Sequence, residues 1–226
     1  MALKIEDYAM IGDCKTAALV GRNGSIDWLC WPRFDSAACF AALLGEYENG
    51  RWLIAPKEEP IEVSRRYRSG TLVLETEFRT KTGSATLVDF MIPGDGADLV
   101  RILIGRQGRV DFRAEFVVRF NYGATVPWVN RLDDGSISAI AGPERLVLRT
   151  AAALYGEDLK TVGEFTSRPA SQSRSSSPTD RRFKIPHRRL MPSTRWSERK
   201  HFGDDGAIGV PRSVPGQRRS NVRLLH

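Results

Sequence analysis

Among the polar–Gly pairs of the first 140 residues, Asn23-Gly24, Thr82-Gly83, Gln107-Gly108 and Asp134-Gly135 stand out. Each falls between short runs in which apolar and polar residues alternate, and this combination constrains the fold more than any other feature. Asn and Gly both accept positive φ, so Asn23-Gly24 predicts a tight hairpin between Thr16–Val20 and Ser25–Trp31. In TLVLETEFRT, Thr71–Thr80, the residues Leu72, Leu74, Thr76 and Phe78 alternate with Val73, Glu75, Glu77 and Arg79. That period of two belongs to a half-buried strand, and Ser84–Met91 reads as its hairpin partner. Leu99–Gly105 and Val110–Phe120 read as a further pair around Gln107-Gly108. Val126–Leu132 and Ser136–Ala141 turn at Asp134-Gly135, and Arg145–Thr150 adds another strand. Many short strands with regular turns predict an all-β, antiparallel β-sandwich. One short helix is expected, capped by Asp35 or Ser36, running through Leu44 and stopped by Gly45.

Charge divides the chain in two. Residues 1–166 carry 20 Lys and Arg against 23 Asp and Glu, a net of −3; residues 167–226 carry 14 against 4, a net of +10. Beyond Phe165 the sequence turns to SRPASQSRSSSP and then to Arg-rich text with scattered Pro and Gly. A stretch so poor in apolar residues cannot offset its ordering entropy. The expected organisation is therefore a β-sandwich domain over 1–166 and a basic, low-complexity, disordered tail over 167–226. The longest apolar run, Ala37–Leu44, is far shorter than the roughly 20 residues of a spanning helix, so no membrane partner is expected. No secretory leader is visible after MALKIEDY, and Cys14, Cys30 and Cys39 show no CxxC spacing, which fits a reducing cytoplasm.

The histidines, His187, His201 and His226, all lie in the tail. A histidine-free body excludes Ser-His-Asp and Cys-His triads and His-ligated metals, so no cofactor and no metal are expected. GRNGS at Gly21–Ser25 lacks the GK[ST] ending of a phosphate loop. The carboxylate pairs Glu58/Glu59 and Asp133/Asp134 read as solvated turn residues, because neighbours in a turn point apart, unlike the facing carboxyls of a glycosidase. The cluster Asp27, Trp28, Trp31, Arg33 and Asp35 leaves two readings open. Aromatic faces stack on sugar rings and Asp and Arg hydrogen-bond their hydroxyls; equally, the tryptophans pack a core, Asp35 caps the helix and Arg33 pairs with Asp27.

The segment IEDYAMIGDCKTAALVGRNGSIDWLCWPRFDSAACFAALLG resembles the N-terminal region of glycoside hydrolase family 15 proteins, the bacterial and archaeal trehalase-like and glucoamylase-like enzymes. GRWLIAP (Gly50–Pro56), RRYRSGTLVLETEF (Arg65–Phe78), LVDFM (Leu87–Met91), RFNYG (Arg119–Gly123), VPWV (Val126–Val129) and AGPERLVLRT (Ala141–Thr150) continue the similarity through about residue 166. The resemblance implies an N-terminal β-sandwich followed by an (α/α)6 barrel whose two glutamates hydrolyse an α-glucosidic bond of trehalose or a maltooligosaccharide. Nothing here matches that barrel, so neither glutamate is assigned to any residue. By similarity, Asp27, Trp28, Trp31, Arg33 and Asp35 are expected to face the barrel or the approach to its sugar pocket. From about Thr166 the chain is expected to be out-of-frame translation of a GC-rich gene or another truncation product. Translating the other two frames of the DNA tests this.

Three functions follow as expectations. The first is a non-catalytic domain of a family 15 hydrolase, inactive alone. The second is a free-standing carbohydrate- or partner-binding sandwich. The third is non-specific anion binding by the tail, which lacks any motif for specific nucleic-acid recognition.

Overall fold

The computed structural model describes residues 3–94, 98–169 and 181–186. Sixteen strands form among them: β1 Tyr8–Gly12, β2 Ala17–Gly21, β3 Ser25–Cys30, β4 Ala38–Phe40, β5 Arg51–Pro56, β6 Glu62–Tyr67, β7 Leu74–Arg79 and β8 Gly83–Ile92, then β9 Asp98–Gly108, β10 Val110–Val117, β11 Trp128–Arg131, β12 Ile137–Ala141, β13 Glu144–Thr150, β14 Tyr155–Glu157, β15 Lys160–Ser167 and β16 Arg181–Pro186. They make two eight-stranded sheets in which every pairing is antiparallel. The first runs β1-β2-β3-β5-β10-β15-β14 with β4 also paired to β3; the second runs β11-β12-β13-β16-β9-β8-β7-β6. The two inner faces share one apolar core, as in a β-sandwich.

Aromatic rings join the layers. Trp52 of β5 meets Phe116 edge-on at 5.7 Å and Phe183 at 6.5 Å, and Phe165 lies 5.5 Å from Phe183. Between these rings runs one buried polar connection. Asp89 on β8, Arg101 on β9 and Phe183 on β16 stand directly opposite one another across three neighbouring strands. The Arg101 guanidinium is fully buried, donates to Asp89 at 2.8 Å, and reaches the other sheet to donate to the carbonyls of Trp52 and Gly24.

The Asn23-Gly24 hairpin forms, but only Gly24 takes positive φ (82°). A Cβ on Gly24 would lie 2.3 Å from the Ile54 carbonyl oxygen, so that position excludes any side chain. Asn23 contributes differently: its side-chain oxygen accepts from the Ser25 amide.

Three expectations are corrected. Asp35–Leu44 is not a helix. Ala38–Phe40 is a strand against β3, Ala42–Leu44 is a single 3-10 turn, and Gly45 is extended with φ −161°. A short unbroken apolar run suits a buried strand as well as a helix, and Ala38–Ala42 is buried on every side. Second, β9 and β10 do not pair. The chain passes from one sheet to the other at Gly108, so β9 lies between β8 and β16 while β10 lies between β5 and β15. Third, Arg181–Pro186, expected within a disordered tail, is a central strand. Phe183 and Ile185 are fully buried and Lys184 pairs with Asp98 at 2.8 Å. Their alternation with Arg182 and Lys184 is too short to register in an Arg-rich window. The sandwich thus extends past the expected boundary at 166. Most of the remaining tail, with its histidines, lies outside the described residues.

Buried and half-buried carboxylates on the outer faces are matched by arginines. Glu75 lies below the usual carboxylate range because Arg68 and Arg66 both donate to it. Burial pushes Glu115 up, but hydrogen bonds from Arg51 and Arg113 outweigh it and leave the carboxyl lowered.

Candidate functional site

The five residues singled out in the sequence do not converge on one cavity. Strand β3 turns Asp27 inward, where it is 1% exposed and accepts hydrogen bonds from the Tyr8 and Ser25 hydroxyls. Burial, then the bond to Asp27, raises the Tyr8 phenol well above its ordinary value. Trp31 is buried in the main core. Trp28 is half-buried, packs on Cys30, Ala38 and Ala41, and tilts against Tyr122 at 6.1 Å. Arg33 and Asp35 lie exposed in the loop before β4 and form a two-bond ion pair with each other, at 2.9 and 3.1 Å. Arg33 therefore does not pair with Asp27, and Asp35 caps no helix. Glu58/Glu59 and Asp133/Asp134 are exposed turn residues, as expected.

The Tyr8–Asp27 contact gives a direct test. Tyr8→Phe is expected to lower stability by about 1.5–3 kcal/mol, the range for a hydrogen bond to a charged group. A raised phenol favours the native state fully below the ordinary tyrosine value near 10, and this contribution is lost as pH rises above it. Denaturant unfolding across that range should show the alkaline loss in the wild type and a flatter profile in Tyr8→Phe.

A cavity that was not anticipated as a site forms where two sheet edges meet. Strand β11 is the edge of one sheet and β14 the edge of the other, and all residues of both are exposed. A groove of about 470 Å³ runs between β11 and the β14–β15 hairpin. Trp128 is 81% exposed in it, beside Tyr155, Asn130 and Asp158. Two arginines brace it: Arg131 donates to the Leu154 carbonyl at 2.6 Å, and Arg119 to the carbonyls of Val118 and Leu159 at 2.8 and 3.3 Å. The hairpin turn itself is strained, since Asp158 (φ 46°) and Leu159 (φ 60°) are both left-handed without being glycine. The signal available in the sequence was VPWV, whose tryptophan sits where no alternation would bury it.

Among the described residues, no group of three or more His, Cys, Asp or Glu is placed to hold a metal ion, and no helix is long and apolar enough to cross a membrane. Cys14, Cys30 and Cys39 are free thiols, the last two buried, and burial raises both of these.

The chain is similar to trehalases from several organisms. It is 35% identical over 115 residues to the trehalase of Mycolicibacterium smegmatis, covering 50% of this chain and 17% of that protein. With trehalase 1 of Sulfolobus acidocaldarius it shares 36% identity over 133 residues, 59% of this chain and 23% of the relative. With the trehalase of Thermoplasma volcanium it shares 33% over 142 residues, again 59% and 23%. The similarity thus spans less than a quarter of each of these relatives. The model of the family described as "Trehalase-like, N-terminal" matches residues 1–158, and the chain belongs to that family.

Proposed function

We propose that this chain is the non-catalytic N-terminal sandwich of a family 15 glycoside hydrolase of trehalase or glucoamylase type, acting in cytoplasmic carbohydrate metabolism and inactive alone. The observation that carries this reading is the match to the trehalase-like N-terminal family over residues 1–158 on an antiparallel β-sandwich. An inverting glycosidase needs one carboxyl raised enough to protonate the leaving oxygen, about 6.5–9.5 Å from a second that activates water. The carboxyls with clear shifts, Asp35, Glu75, Asp111, Glu115, Asp134 and Glu164, are all lowered, each with an Arg, Lys, Ser or Thr donor. Carboxyls lowered in this way stay ionised and are poor proton donors, which agrees with this reading. The three free thiols suit a reducing compartment.

In this reading, an α-glucosidic sugar such as trehalose or a maltooligosaccharide is turned over only when an (α/α)6 barrel accompanies the sandwich. Of the five sequence-derived residues, Trp28, Arg33 and Asp35 reach the surface and are the ones proposed to meet that barrel; Asp27 and Trp31 support them from within. The purified full chain is expected to release no glucose from trehalose or maltotriose. Glucose release that co-purifies with the chain, and disappears when the chain is denatured, would overturn the proposal.

A further inference from the structure

We propose that the groove between β11 and the β14–β15 hairpin binds a neutral, short oligosaccharide, with Trp128 as the stacking platform. The assignment rests on the family 15 reading only for the choice of a glucose-based sugar.

The charge of the groove points to a neutral ligand. Its lining carries both signs in near balance, Arg119, Arg131 and Lys160 against Glu157 and Asp158. Glu157 pairs with Arg113 at 3.3 Å, Lys160 with Glu48 at 3.7 Å, and Arg119 and Arg131 are turned onto backbone carbonyls. With both signs present, neither an anion nor a cation meets a field of one sign. What the groove does offer is a nearly bare indole face, the half-exposed Tyr155 ring, and two exposed polar side chains, Asn130 and Asp158, that bond to no other described residue. The indole supplies an apolar plane, the Asn130 amide can donate and accept, and the Asp158 carboxylate accepts. A pyranose has the matching surface: an apolar face of C–H groups and a rim of hydroxyls.

Volume and rigidity agree. About 470 Å³ lies within the roughly 300–1,000 Å³ of small-ligand sites. Arg131 ties the β11 edge to Leu154 and Arg119 holds the hairpin turn at Leu159 before any ligand arrives, so little ordering is needed on binding. Leaving Trp128 exposed on an edge strand otherwise invites aggregation, which makes an occupant the more economical explanation of the arrangement.

The test is calorimetric titration of the full chain with maltotriose and, separately, trehalose, at low and high salt, with glucose assayed in the same cell. Saturable binding that hardly changes with salt is expected. It should weaken about tenfold or vanish in Trp128→Ala, a loss of about 1.4 kcal/mol or more. Phe34→Ala, 74% exposed and outside the groove, should bind as the wild type does. Absence of binding by both sugars, or equal affinity in Trp128→Ala, would overturn the assignment. So would loss of self-association in Trp128→Ala while sugars have no effect, since the edge would then be a protein interface. Failure of sugar binding leaves the domain assignment standing, whereas glucose appearing in the cell would sink the non-catalytic reading and not the groove.

Discussion

Replacing Arg101 by Met is expected to lower the unfolding free energy by about 3–5 kcal/mol, the range for breaking one side of a buried ion pair. Domains of this kind are held by about 5–15 kcal/mol in total, so the variant should sit near the edge of folding. The effect is large because Arg101 serves three acceptors at once. Asp89, itself fully buried, would keep a carboxylate with no counter-charge, and the Trp52 and Gly24 carbonyls would each lose a donor from the opposite sheet. Guanidinium unfolding followed by tryptophan emission is a suitable readout, since Trp52 lies 5.2 Å from the Arg101 guanidinium. Replacing both partners, Arg101→Met with Asp89→Leu, should recover much of the loss, because no buried charge is then stranded. A single variant within about 1 kcal/mol of the wild type would show that the arginine does not tie the sheets together, since surface changes fall within roughly that margin.

Ending the chain at Pro169 is expected to abolish cooperative folding. Strand β16 lies between β9 and β13, so its removal leaves two unpaired backbone ladders in the middle of a sheet and an apolar void where Phe183 and Ile185 packed. Exposed ladders of that kind template association. In the intact chain, Phe183→Ala alone should cost about 3–5 kcal/mol, as for other buried aromatic truncations, because its ring meets Trp52 and Phe165. A chain ending at Leu190 retains β16 and should unfold like the full protein. Equal denaturation midpoints for the Pro169 and Leu190 forms would show that β16 is not part of the fold. The comparison also bears on the proposed function, since a hydrolysis assay on a form cut at 167 would measure an unfolded protein.

Much of the sandwich was legible in the sequence where the alternation was long. Leu74–Arg79 and Gly83–Ile92 pair as TLVLETEFRT and its neighbour suggested, because an apolar–polar alternation of that length marks a strand. Short apolar runs were not legible. Ala38–Phe40 read as helix, since a few consecutive buried residues carry no period. The site was the least legible part. Asp27 and Trp31 could be read as core or as ligand contacts and are interior groups; residue type alone does not say which side of the chain points to the core. Trp128 looked like one more family residue and stands in the open.

Local chemistry in the sequence determined the all-β class, most turns and the family, because alternation and turn-forming glycines act over a few residues. Only the tertiary structure decided which strands became neighbours. It set β10 beside β5 instead of β9, drew Arg181–Pro186 from an Arg-rich stretch into the centre of a sheet, and brought the edges β11 and β14 together around a groove. Those outcomes depend on burying two apolar side chains and one guanidinium among partners as far apart in the chain as Trp52 and Phe183, a balance that no local window of sequence contains.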